Sequence, residues 1–191
     1  MPIAVSRPAA EHELIELSRE ATAALDALLA DAVAKVRERV VVEGHTVSRL
    51  FDREQRATHG LAWLATYVEA VRQLAAYTKR MVDDGSFGEL EEHLVRIGLG
   101  EYLAQIVGGI PMSQGEVVRP ADLGLSNAQV AARINPMIES LIASGNTAER
   151  RARLVELIRA SHGATVGQCG LDETLESIRE EMRRFADSEV I

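Results

Sequence analysis

Five histidines, a single cysteine and the serine of a Ser-Gln-Gly run are the residues of this 191-residue chain whose types could do chemistry. His12, His45, His59, His93 and His162 do not pair at the four-residue spacing of a helical metal site. None has a glutamate three residues before it, so the Glu-x-x-His pattern of di-iron bundles is missing. His93 follows Glu92 and lies one turn after Glu89. Two carboxylates and an imidazole on one helix can ligate a metal, but such spacing more often makes a solvated charged face, and no metal is expected. Ser113-Gln114-Gly115 is not a nucleophile elbow, because Pro111 stands where that turn needs glycine. A serine without a placed base keeps its proton. Gly98-Leu99-Gly100 lacks the third glycine of a dinucleotide loop, since position 103 is Leu, and no strand precedes it. Cys169 is followed by Asp172 and Glu173, whose charges disfavour a thiolate, so it is expected to be a bystander. Trp63, Tyr67, Tyr77 and Phe87 could line a ring-stacking pocket, but helical spacing makes core packing the stronger reading.

Helices must carry most of these residues. Leu14, Leu17, Ala21, Leu25, Leu28, Ala32, Val36 and Val40 recur at steps of three and four, one stripe of a long helix from about Pro8 to Glu43, with Gly44 as its stop. A second helix is expected from Ser48 or Asp52 to Asp83. It is apolar on two sides: Leu61, Leu64, Val68, Val71 and Ala75 on one, Trp63, Tyr67, Ala70, Leu74, Tyr77 and Met81 on the other. Such a helix belongs in the middle of a bundle. Ser86 and Glu89 read as a capping box for a third helix through Leu90, Leu94, Ile97, Leu103 and Ile106, which Gly98 and Gly100 either interrupt or bring close to a neighbour. The glycine- and proline-bearing stretch from Gly108 to Leu125 reads as a long loop.

Ser126 and Gln129 form another capping box, opening a fourth helix that Pro136 should kink or restart after Asn135 and that Gly145 ends. A fifth helix begins at Asn146 or Thr147, with Leu154, Leu157 and Ile158 inward, Arg150, Arg151 and Arg153 mostly outward, and His162-Gly163 closing it. Residues Gly163 to Gly170 read as a linker. Asp172 caps a last helix whose buried stripe is expected at Leu175, Ile178, Met182 and Phe185. This stripe runs out at the end of the sequence, as expected of a domain cut short or, equally on pattern alone, of a natural C-terminal helix with a frayed end. No convincing strand run appears, and the fold class is all-α: a helical bundle of about five long helices plus that last one.

Composition agrees. Hydrophobic residues make up 47% and aromatics only 4%, a balance that favours helix over a β-sandwich. The net charge of −8 gives no drive toward nucleic acid or anionic lipid. One cysteine excludes an internal disulfide. The opening MPIAVSRPAAEHE lacks the long apolar run of a signal peptide, and no stretch approaches the length of a membrane span, so a cytoplasmic protein is expected.

Two stretches resemble something known. The last helix, LDETLESIREEMRRFADSEVI, resembles the opening helix of the acyl-CoA dehydrogenase fold, whose form I-R-x-x-x-R-x-F-A-x-x-x-V is matched approximately by Ile178, Arg179, Arg183, Phe185, Ala186 and Val190. The segments EQRATHGLAWLATYVEAVRQL and LVRIGLGEYLAQIVGGIPMSQGEVVRPADLG resemble the amino-terminal extension of the (2S)-methylsuccinyl-CoA dehydrogenases, flavoenzymes of the ethylmalonyl-CoA route. On that resemblance residues 1–170 form a helical extension, and residues 171–191 begin the amino-terminal helical domain of the dehydrogenase body.

The resemblance implies FAD in the parent protein and α,β-dehydrogenation of a branched dicarboxylic acyl-CoA. A glutamate of the body would take the α-proton, and the β-hydride would pass to flavin N5. An electron-transferring flavoprotein and a homo-oligomeric parent are the implied partners. No catalytic or flavin-binding residue carries over onto this chain, which is expected to be inactive alone and to serve packing or assembly, with no cofactor of its own. The candidate contact segment is the glycine-rich loop, in particular Gly108, Gly109, Ser113, Gln114, Gly115 and Arg119. The alternative is a stand-alone, non-enzymatic helical interaction module.

Overall fold

The computed structural model describes residues 7–161, 167 and 169–190. Helix α1, Arg7–Val40, carries the predicted stripe, and all eight of its apolar positions from Leu14 to Val40 are buried. The helix ends at Val40 rather than running on to Glu43. Val41–Val42 (β1) and His45–Thr46 (β2) form a small antiparallel hairpin, with Val41 opposite Thr46. The turn is made by Glu43 and Gly44, both at positive φ (50° and 82°), where glycine costs nothing. Two β-branched valines suit a strand better than a helix end, which is why the apolar periodicity overran the boundary.

The expected second helix is two: α2, Ser48–Arg53, and α3, Gln55–Asp83, separated at Glu54. Helix α3 is the centre of the bundle, packed between α1 and α4. Leu64, Val68, Val71 and Met81 are buried, while Leu61, Trp63, Tyr67, Leu74 and Tyr77 are half-buried against the same core.

Helix α4 runs unbroken over Glu89–Gly108. Its cap is Gly88, not Ser86: the buried Glu91 carboxylate accepts the Gly88 N–H at 2.9 Å, shifting the box two residues downstream. Gly98 and Gly100 do not interrupt the helix; they let it be approached. A Cβ on Gly98 would meet the Leu74 side chain of α3. A Cβ on Gly100 would lie 2.9 Å from the Gly145 Cα and the Asn146 nitrogen, so two backbones touch there.

The stretch from Gly108 to Leu125 is not a plain loop. It holds the hairpin Ile110–Pro111 (β3) with Val117–Val118 (β4) and a 3₁₀ turn at Pro120–Leu123. The fourth predicted helix is split by Pro136 into α5, Asn127–Arg133, and α6, Pro136–Gly145. Asn135 caps the second piece, its Oδ1 accepting the Ile138 N–H at 2.9 Å. Ser126 and Gln129 make the expected box: the Gln129 N–H donates to Ser126 Oγ and the Ser126 N–H to the Gln129 amide oxygen.

Helix α7, Ala148–Ser161, packs on α4 with no fully buried residue. The end expected at His162-Gly163 lies outside the described residues, as does most of the expected linker. Asp172 caps α8, Glu173–Glu189, by accepting the Leu175 N–H at 2.8 Å. The stripe on α8 is not buried. Ile178, Met182 and Phe185 are 54%, 64% and 58% exposed, since no described element lies against that face. The fold is all-α, with eight α-helices among the described residues instead of the six expected, because Glu54 and Pro136 each divide one. No described helix is long and apolar enough to cross a membrane.

Candidate functional site

Glycine shape decides where the β3–β4 hairpin sits. A Cβ on Gly60 of α3 would fall 2.4 Å from Val118 Cγ2, so only glycine lets the strand lie on the helix. Gly109, at φ 138°, turns the chain out of α4 and into β3. Ile110 and Val118, opposite each other, are buried; Pro111 and Val117 make the next pair.

Charge fixes the far end. The Asp122 carboxylate accepts the Arg119 backbone N–H at 2.7 Å and Arg56 Nε at 3.2 Å, while Arg56 Nη2 also donates to the Val117 carbonyl at 2.8 Å. Arg39 of α1 donates to the Asp122 carbonyl at 3.0 Å. Burial pushes the Asp122 carboxyl up, but Arg56 and the Arg119 N–H outweigh it and hold the carboxyl below its ordinary value. Its contribution is therefore present above the ordinary carboxyl range and fades as pH falls through the lowered value. Asp122→Asn should loosen the hairpin by about 1 kcal/mol at neutral pH. Thermal melts would read this, and the difference from the native chain should shrink in strong acid.

This anchoring leaves the hairpin tip outward. Ser113, Gln114 and Gly115 are exposed, and the turn is closed by the Met112 N–H on the Glu116 carbonyl at 2.8 Å. Gly108 is exposed at the helix end, and the exposed Arg119 side chain forms no ion pair among the described residues. The six candidate residues thus lie on one supersecondary unit, but they do not converge on a point. Two clefts flank it. One of about 710 Å³ is walled by Phe51, Arg56, His59, Met112 and Glu116; the other, of about 420 Å³, lies between Val107, Arg119, Pro120, Ile134 and Ile142. The sequence reading missed Arg56, Asp122 and Gly60, because their roles depend on contacts across about sixty residues.

The rings are core. Tyr67 meets Tyr102 edge-on at 4.9 Å and Trp63 at 6.3 Å, and Tyr67 donates to Gln105 at 2.7 Å. Trp63 donates its indole N–H to His59 Nε2 at 3.0 Å. No slot for a stacked ligand ring opens between them.

His93 does not lie on a solvated face. Among the described residues no three His, Cys, Asp or Glu side chains are grouped to hold a metal. The His93 side chain is only 14% exposed, and Arg153 of α7 forks onto the neighbouring Glu89 at 2.8 and 3.0 Å. Arg150, expected outward, turns in and donates to the Ser144 carbonyl at 3.0 Å. Cys169 is exposed and lines a cleft with Met81, Asp172 and Arg179.

A flavin needs a flat slot for its ring and backbone or basic donors for its phosphates. The described clefts are open surface grooves, and His93 Nδ1, the buried side-chain polar atom without a partner among the described residues, lines none of them. These residues do not fit a flavin.

What the fold and site define is an all-α bundle that presents a pinned hairpin and an apolar helix face. No family model matches the chain. Over 179 residues it is 46% identical to (2S)-methylsuccinyl-CoA dehydrogenase of Cereibacter sphaeroides, a match covering 93% of this chain and 32% of that protein. The chain therefore spans about a third of the length of the curated relative it matches.

Proposed function

We propose that this chain is the helical extension of an FAD-dependent acyl-CoA dehydrogenase, ending in the first helix of its catalytic body. Residues 1–170 form the extension and residues 171–191 the start of the body's amino-terminal helical domain. The parent would dehydrogenate (2S)-methylsuccinyl-CoA or a close branched dicarboxylic acyl-CoA. FAD and the catalytic base would be held by the body, with an electron-transferring flavoprotein as acceptor. The parent would be a cytoplasmic homo-oligomer. The observation that carries this is the 46% identity spread over almost the whole chain, matched to one third of a protein of that name.

The open stripe on α8 supports it. A helix with Ile178, Met182 and Phe185 this exposed is half of a packing unit, and a following helical domain supplies the other half. The bundle's part is then to pack on the body, with the hairpin tip as its second contact. Alone, the chain serves packing or assembly and does not oxidise thioesters.

The test is to read the gene beyond codon 191 and express the whole frame. A flavin-bearing protein that oxidises (2S)-methylsuccinyl-CoA supports the reading; a continuation without a dehydrogenase body contradicts it. Within the full-length protein, Gln114→Ala and Arg119→Ala probe the hairpin tip. Each is expected to lower kcat/KM severalfold or to change oligomer mass. If both parameters stay at the native value in both variants, the tip makes no functional contact.

A further inference from the structure

We propose that His93 is a proton-operated latch that holds α7 on α4 when neutral and releases it when protonated. Helix α7 buries none of its residues fully. It packs on α4, and its apolar residues Leu154, Leu157 and Ile158 are only half-buried. Its attachment therefore leans on a small polar cluster, in whose middle lies His93.

The side chain of His93 is 14% exposed, and its Nδ1 is buried with no hydrogen-bond partner. Nε2 stands 3.7 Å from Glu89 Oε1, beyond a hydrogen bond. The charged groups around the ring are Glu89, Glu92 and Arg96 on α4 and Arg150 and Arg153 from α7. Both carboxylates are already engaged. Glu89 holds the Arg153 fork that ties the two helices, and Glu92 accepts Arg96 Nε at 2.8 Å. A proton on His93 would put a third cation beside Arg150 and Arg96 and make the ring compete with Arg153 for Glu89.

Burial first, then Arg150, lower the affinity of the ring for a proton; Glu89 and Glu92 pull the other way and are outweighed. The sign follows. With α7 docked, the imidazole binds its proton more weakly than a free one, whose pKa is about 6.5. Docking is at full strength above that value and weakens as pH falls below it, because the undocked state takes up the proton. The ceiling on this effect at pH about 5.5 is roughly tenfold in the opening equilibrium, set by the free-ring value alone. The device does not depend on what enzyme, if any, the chain belongs to.

Hydrogen–deuterium exchange of the chain at pH about 7.5 and 5.5, corrected for the intrinsic pH dependence of exchange, tests the latch. Opening of α7 should rise severalfold at the lower pH, while the amides in the middle of α3 keep their protection. His93→Gln, which cannot titrate, should remove the pH dependence of α7. Arg150→Gln should reduce the size of the pH-dependent opening without moving its onset, because it removes a cation that opposes protonation of the docked ring. It also covers the case in which His93→Gln fails to fold. Equal α7 protection at both pH values in the native chain would overturn the proposal. So would a loss that persists in His93→Gln, or one whose size Arg150→Gln leaves unchanged.

Discussion

Gly100→Val is expected to cost the bundle about 3 kcal/mol, a fall in Tm of about 6–12 °C. A side chain at this position has nowhere to go. Its Cβ would lie 2.9 Å from the Gly145 Cα and the Asn146 nitrogen, and these are backbone atoms that cannot rotate aside. Helix α6 must then shift as a body from α4, opening the core around Leu99, Leu103, Ile138 and Leu141, all buried. Gly145→Val attacks the same contact from the other side, with its Cβ 2.6 Å from the Arg96 carbonyl. The double variant should therefore cost less than the sum of the singles, because the first substitution has already parted the helices. Gly115→Ala is the control. It sits at the hairpin tip with nothing within 4 Å, and its effect should be within about 0.5 kcal/mol. Thermal melts of the four variants read all of this.

The second large effect should appear only in the full-length protein. Ile178→Asp with Phe185→Asp places two charges on the α8 stripe. In the chain alone both positions face solvent, and stability should change by no more than about 0.5 kcal/mol each. Where α8 forms the first helix of a dehydrogenase body, the same carboxylates are buried without partners, at several kcal/mol each. Loss of bound flavin and at least about a tenfold loss of thioester oxidation are expected there. Equal activity of the double variant and the native enzyme would show that the stripe packs on nothing.

Much of the bundle was legible because helical periodicity reports burial directly. Every stripe position on α1 from Leu14 to Val40 is buried, and the two apolar faces of α3 place it between α1 and α4 as expected. Local chemistry also read true where both partners are close in sequence: Ser126 with Gln129, Asn135 ahead of Pro136, Asp172 with Leu175. It misread Ser86 and Glu89 because a competing carboxylate, Glu91, caps Gly88 two residues further on. The hairpins escaped notice because each strand is only two residues long, too short for any period. The candidate segment from Gly108 to Arg119 was found from its glycines. Its anchoring was not, because Gly60, Arg56 and Asp122 meet only once α3 and the 3₁₀ turn are in place. The α8 stripe was legible as apolar, but burial needs a second surface, which the described residues do not provide.

The most direct test of the account is a comparison of the purified 191-residue chain with the full-length protein that carries it. The measurements are visible flavin absorbance and oxidation of (2S)-methylsuccinyl-CoA. The account predicts a colourless, inactive bundle and a yellow, active full-length enzyme. Flavin bound by the chain alone, or thioester oxidation by it, would contradict the account.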